Sequence, residues 1–430
     1  MLVDVALPVP LFRSFTYEVD DGDASRARAG MRAVVPFRAK RLLGVVLGPG
    51  ESRPGVAIKK AHALPDAGPV VSESLIALAR WMSEYYVVPL GLVLRSILPA
   101  ALTGAADPEP SRKTRRVIVI ANPIESLLER DKLFARSPKQ RALYELVESL
   151  GGRAAVEQVE EQLHLSDSVV AALAKRGIAS IESEAVTRDP FAHRTTNPPT
   201  HQPTSQQQTA IDALVSAQPG HVTLLHGITG SGKTLVYLEF LKRVLERGRS
   251  AIVLVPEIAL TPQTVDRFRA VFGDQVAVLH SALSDGERYD AWLALQRGER
   301  RIAVGARSAI FAPLAKLGAI VIDEEHETTY KQGEAPRYHA REVAIVRARA
   351  EGATVVLGSA TPSLESWTNA SDGKYSIIRL PDRVGGGSLP SVSVVDRRNA
   401  LRPRPDGQPI EPFHMVIGEE LESSIRDRLR

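Results

Sequence analysis

The sequence predicts a multidomain protein: a small N-terminal β-barrel, then a helical module with the shape of a winged helix, then an α/β lobe on a parallel sheet. Three observations carry this. Residues 1–65 hold four short strand-like runs punctuated by Gly, Asp and Pro. Residues 137–187 change to helical spacing and close on a strand-like run. Beyond residue 206, short and wholly apolar runs alternate with helical stretches, as in a parallel sheet covered on both faces.

The runs VDVALPV, FTYEV, RAVVPF and LLGVVLG are separated by DDGD, RAG and GPGESRPG, a spacing that suits a small barrel. Residues 72–98 read as helix. Ser72 is placed to cap it, and Leu75, Leu78, Ala79 and Met82 fall at i, i+3, i+4 and i+7. AADPEPSRKTRR, residues 105–116, is polar and marks a boundary, which leaves residues 1–105 as a first, β-rich domain. In the second, residues 110–190, SPKQRALYELVESLGG is an amphipathic helix stopped by a Gly pair. EQVEEQLHLSDSVVAALAKRGIASIE continues as helix, turn, helix and strand. The second of these helices commonly enters a DNA groove, yet the same pattern also suits a spacer. Residues 191–205 lie in a Pro-, Thr- and His-rich linker. Residues 206–380 carry the alternating pattern VTLLHG, AIVLVPE, VAVLH, IAVGA, AIVIDEE and TVVLGSA. Residues 381–430 add VSVVD, an Arg/Pro loop and a terminal amphipathic helix.

Composition narrows the function. The chain of 430 residues has no Cys, which excludes from it a disulfide scaffold, a thiolate zinc site, an iron–sulfur cluster and a cysteine nucleophile. Its apolar content of 44% and charged content of 24% are those of a globular protein. The net charge of +4 names no partner, although only 12 of 54 cations are Lys. Arg is the cation that forks onto phosphate and stacks on flat rings. The N-terminus lacks a basic region and a small-residue cleavage site, so no signal peptide is expected. No apolar run approaches the ~20 residues of a membrane span. A soluble, cytoplasmic protein without membrane contact is expected.

Three motifs carry chemistry. Gly227-Ile228-Thr229-Gly230-Ser231-Gly232-Lys233-Thr234 is a complete G-x-x-x-x-G-K-T between a strand-like run and a helix, the context of a phosphate-binding loop. Its glycines let successive N–H groups turn toward a phosphate, and the helix N-terminus adds partial positive charge. Lys233 is placed to reach the β- and γ-phosphates of ATP and Thr234 to ligate Mg²⁺. The second motif, Ile320-Val-Ile-Asp-Glu-Glu-His326, is an apolar strand ending in acids. Asp323 suits the Mg²⁺-holding carboxylate and Glu324 the group that orients the attacking water. The third, Gly358-Ser-Ala-Thr-Pro362, places Ser359 and Thr361 to hydrogen-bond the acidic motif and couple hydrolysis to movement.

The order GITGSGKT, VPEIALTPQ, VLHSAL, GARSAIFAP, DEEHETTYKQ, RYHAREVA and GSATPSLES resembles the first motor lobe of a superfamily 2 DNA helicase. VPEIALTPQ, IVIDEEH with RYHAR, and the N-terminal VALPVPLFRSFTY resemble the PriA-type replication-restart helicases (primosomal protein N-prime), from about residue 2 to residue 380. The resemblance implies a RecA-like P-loop lobe preceded by a 3′-end DNA-binding domain and a winged helix. It assigns adenine recognition to Gln207 and a DEAH-type box to Asp323, Glu324, Glu325 and His326. It places Glu257 to Gln263 and Arg307-Ser308 along a DNA backbone. Residues Tyr330 to Arg341, with Lys331 and Arg337, become an aromatic-rich loop that links DNA contact to ATP turnover. Phe15, Tyr17 and Lys59 fall in the 3′-end pocket.

Departures from the pattern also bear on function. Pro336 stands where an aromatic commonly precedes the Arg, removing one stacking platform. Thr16 replaces an acidic residue and Arg38 a Gly in the 3′-end pocket, which favours general phosphate contact over capture of a DNA end. The resemblance places a second motor lobe, with arginine fingers and zinc-ligating cysteines, beyond about residue 430, so residues 381–430 read as the start of an incomplete lobe. An arginine finger is worth ~10³–10⁵ in rate. The expectation is a chain that binds nucleotide and DNA, hydrolyses ATP slowly and uses no zinc. The implied partners are forked DNA, primosome and helicase-loading proteins and single-stranded DNA-binding protein at the nucleoid. The rival reading is a scaffold that grips fork DNA and binds nucleotide without turnover.

Overall fold

The computed structural model describes residues 1–52, 55, 57–104, 114–124, 126–185, 202–384 and 419–429. Strands β1 (Leu2–Ala6), β2 (Phe15–Glu18), β3 (Arg32–Phe37), β4 (Lys40–Pro49) and β5 (Lys59–Lys60) form one sheet in the order β3-β4-β1-β2-β5. The sheet curls until its edges meet: Val34 donates to the Ala63 carbonyl at 2.9 Å and His62 donates to the Val34 carbonyl at 2.7 Å. Period-two alternation explains the curl's interior. Val3, Val5, Tyr17, Val35 and Val46 are all buried in one core.

The segment read as one helix over 72–98 is two, α1 (Glu73–Tyr85) and α2 (Leu90–Ile97). Ser72 caps the first, accepting from the Leu75 amide at 3.3 Å. Pro89 explains the break, because it lacks an N–H and disfavours helix in the residue before it. Gly91 sits where α2 crosses β1: a Cβ there would lie 1.7 Å from the Leu7 carbonyl oxygen, so no larger residue fits.

The next sheet is antiparallel, β7 (Arg153–Ala155), β6 (Thr114–Ile120) and β8 (Ala179–Ala185) in that order, with β6 central. Helices α3 (Leu127–Phe134), α4 (Pro138–Ser149), α5 (Val156–Leu163) and α6 (Asp167–Lys175) pack on it around Ile118, Leu143, Tyr144 and Leu173. The end of the polar stretch read as a boundary is the start of β6. Arg115 pairs with Glu184 and Arg116 with Asp167, contacts too distant in sequence to be read from composition.

Helix α7 (Ser205–Val215) opens the α/β lobe. The sequence places its start in the linker, but Thr204 and Gln207 form a capping box. Seven parallel strands follow: β9 (Val222–Gly227), β10 (Ser250–Leu254), β11 (Val276–Leu279), β12 (Ile302–Gly305), β13 (Leu317–Ile322), β14 (Thr354–Ser359) and β15 (Ser376–Leu380), in the order β11-β12-β10-β13-β14-β9-β15. Helices α8 (Lys233–Glu246), α9 (Pro262–Phe272), α10 (Asp285–Gln296), α11 (Ala340–Glu351) and α12 (Leu364–Ser371) cover it. The order sets β9, β14 and β13 side by side, so their C-terminal ends bring all three motifs together.

The curled sheet's domain is not a loose appendage. Val71, Leu75, Met82 and Leu94 share one core with Ile310, Phe311, Tyr338 and Val343 of the α/β lobe. Gln296 also donates to the Pro69 carbonyl at 2.8 Å. No helix among the described residues is long and apolar enough to cross a membrane. The helix Glu419–Leu429 carries an Arg426–Glu422 pair at 2.6 Å; VSVVD and the Arg/Pro loop lie outside the described residues.

Candidate nucleotide site and nucleic-acid interface

Strand β9 ends at Gly227, and Gly232 takes a φ of 79° before α8 begins at Lys233. The loop is crowded at two of its glycines. A Cβ on Gly227 would meet the Ser231 Oγ at 2.6 Å, and one on Gly232 would meet the Gln207 Nε2 at 2.3 Å. Lys233 is 9% exposed; its Nζ donates to the Gly227 carbonyl at 2.9 Å and lies 3.7 Å from the Glu324 Oε1. The Ser231 hydroxyl is buried in the same loop without a hydrogen-bond partner. A buried cation, an unmatched hydroxyl and the N-terminus of a 14-residue helix therefore converge on one loop, the combination that suits an anion. Ile228 and Thr229 complete the loop, and Thr234 is half-buried at the first turn of α8.

Strand β13 delivers the acids to this cradle. Asp323 accepts from the Tyr237 hydroxyl at 3.1 Å. Burial pushes the Asp323 carboxyl above the usual carboxylate range, and the neighbouring Glu324 charge adds to this, while the Tyr237 hydrogen bond and Lys233 partly oppose it. Glu324 takes a φ of 43°, a left-handed conformation uncommon for a non-glycine residue and concentrated at functional sites. His326 Nδ1 lies 2.8 Å from the Ser359 Oγ, and its Nε2 lies 3.5 Å from the Thr361 Oγ1. One Mg²⁺ commonly takes one or two carboxylates together with phosphate oxygens, and Thr234 and Asp323 supply a donor set of that kind.

The raised Asp323 carboxyl has a measurable consequence. Its contribution to stability is fully present below the ordinary Asp value and is lost as pH rises through the higher folded value. At neutral pH the carboxylate is held charged at a cost that Asn removes, while the Tyr237 hydrogen bond stays. Without nucleotide, Asp323→Asn is expected to melt ~1–3 °C above the native chain near pH 7. The gap should close as pH falls toward the ordinary Asp range. Thermal unfolding across that range checks this, and an Asn variant no more stable than native at neutral pH contradicts it.

Several of the assigned side chains are already engaged within the fold. Glu325 is fully buried and holds Arg341 at 2.7 Å, the Ser363 amide at 2.8 Å and the Ser366 hydroxyl at 2.8 Å, so it faces the protein interior and not a nucleotide. Arg341 is itself buried in that pair and is not a free DNA contact. Tyr330 is 1% exposed, its hydroxyl donating to the Asp323 carbonyl at 2.6 Å, and offers no face to a base. The Gln207 amide is engaged at both ends, donating to the Ser231 carbonyl at 2.9 Å and accepting from the Thr204 amide at 2.9 Å. It holds the phosphate loop rather than presenting a free edge to adenine.

The remaining nucleic-acid residues fall in two places. Phe15, Tyr17, Arg38 and Lys59 line one cavity of about 320 Å³ in the curled sheet, together with Arg13 and Thr16. Phe15 packs edge-on against Phe37 at 5.2 Å, and the Tyr17 hydroxyl donates to the Pro36 carbonyl at 3.1 Å. Thr16 donates to Asp4 Oδ1 at 2.7 Å. On the α/β lobe, Arg307 donates to the Thr329 and Lys331 carbonyls, shaping a loop on which Lys331 and Arg337 are exposed.

Four contributors escaped the sequence reading. Tyr237 sits one turn after Lys233 and reads as an ordinary core aromatic. Ser363 and Ser366 read as a helix cap, and Ser363 is one. Arg383 passes beside Gly230, where the Val384 amide donates to the Gly230 carbonyl at 3.0 Å, and its Nε is buried without a partner.

The sequence matches two described families and several curated relatives. Residues 4–99 match the family described as 3′DNA-binding domain (3′BD), and residues 204–369 match the DEAD/DEAH box helicase family. The replication restart protein PriA of Bacillus subtilis is 36% identical over 99% of this chain and 60% of its own length. The chain belongs to the PriA family. The PriA of Haemophilus influenzae is 36% identical over 93% of this chain and 54% of its own length, so the chain spans somewhat more than half of these relatives. A DEAD box protein from Methanococcus jannaschii is 22% identical with a TM-score of 0.33, covering 51% of this chain and 55% of that one.

Proposed function

We propose that this PriA-family chain binds ATP·Mg²⁺ on the loop Gly227–Thr234, grips branched DNA through its N-terminal domain, and serves the restart of stalled replication forks. In this reading ATP hydrolysis drives 3′→5′ movement with a second motor lobe. The observation that carries it is the approach of Lys233 to Glu324, 3.7 Å across the ends of adjacent elements, beside a carboxylate already held by Tyr237. Lys233 exchanges its Gly227 contact for β- and γ-phosphate oxygens. Thr234 and Asp323 would hold Mg²⁺, which would supply positive charge to offset that of the phosphates. Glu324 accepts a hydrogen bond from the attacking water and orients it. Ser359 and Thr361 grip His326 and carry the acidic motif's position to α12.

Phosphate contact by Arg38, Lys59, Lys331 and Arg337 supports DNA engagement, and helicase-loading proteins and single-stranded DNA-binding protein are the partners this reading implies. Helix α6 opens on Asp167 with no cation in its first two turns, which favours a spacer role for the winged helix. ATP turnover with and without forked DNA, at two salt concentrations, tests the proposal. Stimulated turnover together with salt-weakened fork binding is the expected result. Salt-weakened fork binding with no turnover favours the scaffold reading, and absence of both nucleotide and DNA binding overturns the proposal.

A further inference from the structure

Tyr237 lies on α8, one turn beyond Lys233 and Thr234, so a single helix carries all three toward the end of β13. The residue is 1% exposed, and its hydroxyl donates to the Asp323 Oδ1 at 3.1 Å. Burying a hydroxyl costs free energy that a phenylalanine would avoid, so its place in this core calls for a reason.

The third motif makes room for that hydroxyl. A Cβ on Gly358 would lie 1.6 Å from the Tyr237 Oη and 2.8 Å from its Cζ. Gly358 is absent from the glycines with positive φ, so space and not backbone conformation requires it there. Strand β14 is not free to back away. Gly358 pairs with Leu225 of β9, and its carbonyl accepts from the Glu325 amide at 3.0 Å. The Asp323 backbone is fixed in turn, its carbonyl accepting from the Tyr330 hydroxyl at 2.6 Å. What remains is rotation of the Asp323 side chain, and the Tyr237 hydrogen bond removes it.

We propose that Tyr237 is a positioning residue for Mg²⁺: through Asp323, in the notch that Gly358 leaves, it sets the affinity for the cation that accompanies the nucleotide. The proposal rests on the ATP·Mg²⁺ reading above. A carboxylate has several lone pairs, so Asp323 can accept from the hydroxyl and still bind a cation. Thr234 shares α8 with Tyr237, so the same hydrogen bond fixes the spacing between the two Mg²⁺ donors. Losing such an outer partner of a ligating group lowers metal affinity about 10- to 100-fold.

Binding of a fluorescent non-hydrolysable ATP analogue by the full chain, first in EDTA and then across a Mg²⁺ series, tests this without turnover. Tyr237→Phe keeps the ring and is expected to raise the Mg²⁺ midpoint about 10- to 100-fold, with native affinity in EDTA. Gly358→Ala displaces the hydroxyl and is expected to raise the midpoint as well. Adding it to Tyr237→Phe raises the midpoint little further, because the hydroxyl it would displace is already gone. A Tyr237→Phe midpoint that is native or lower, an equal loss with and without Mg²⁺, or a double variant whose losses add overturns the proposal. A native chain that binds the analogue equally with and without Mg²⁺ overturns the cation site and this proposal with it. A native chain that binds no nucleotide overturns the function proposed above.

Discussion

Lys233→Ala is expected to weaken ATP·Mg²⁺ binding at least ~100-fold and to remove any turnover, the equivalent of about 2.7 kcal/mol. The size follows from where the ammonium sits. It is almost fully buried, it is placed against a loop of backbone N–H donors, and among the described residues it donates to the Gly227 carbonyl and lies 3.7 Å from Glu324. Both contacts are ones a phosphate replaces, so the loss falls on nucleotide binding and little falls on the fold. Glu324→Gln separates binding from chemistry. Gln keeps the shape and accepts one hydrogen bond but carries no charge, so nucleotide binding persists while turnover falls. Titration with a fluorescent ATP analogue and a phosphate-release assay check the pair. DNA-stimulated hydrolysis indifferent to both changes would falsify the nucleotide site.

Local signals made the fold and the Gly-rich turn between β9 and α8 readable. Each central strand is a short apolar run, and a G-x-x-x-x-G-K-T between strand and helix has few other structural meanings. Ser72 and the Leu75–Met82 spacing likewise describe one helix face without reference to the rest of the chain. The side chains that turn inward share the opposite property. Arg341 and Glu325 are charged residues whose burial depends on each other across 16 positions, and no local pattern says that two charges in a motif point inward. Tyr330 lies in a loop that family likeness assigns to DNA, but its hydroxyl turns back to Asp323. Gln207 lay hidden in a triple Gln beside a Pro-rich linker, where composition argues against a helix start that Thr204 in fact caps. Motif likeness gives the location of a residue, and the direction of its side chain comes from partners far away in sequence.

Arg341→Ala is expected to destabilise the chain by about 3 kcal/mol, a fall of roughly 6–12 °C in melting temperature. Glu325 is wholly buried, and Arg341 is its cationic partner. Removing the guanidinium leaves a carboxylate that cannot be resolvated, held only by the Ser363 amide and hydroxyl and the Ser366 hydroxyl. These three donors keep the loss toward the lower end of what a broken buried pair costs. Glu342 and Glu365, the other acids facing the Arg341 site, lose the same cation. Arg341→Met combined with Glu325→Gln should regain much of the stability, because it removes the buried charge along with its partner. Thermal unfolding of the single and double variants decides the matter. A single variant that melts like the native chain and loses only DNA affinity would return Arg341 to the DNA interface. A deficit relieved by the second change assigns it to joining the acidic motif to α11 and α12, the helices that any movement of the motor must carry.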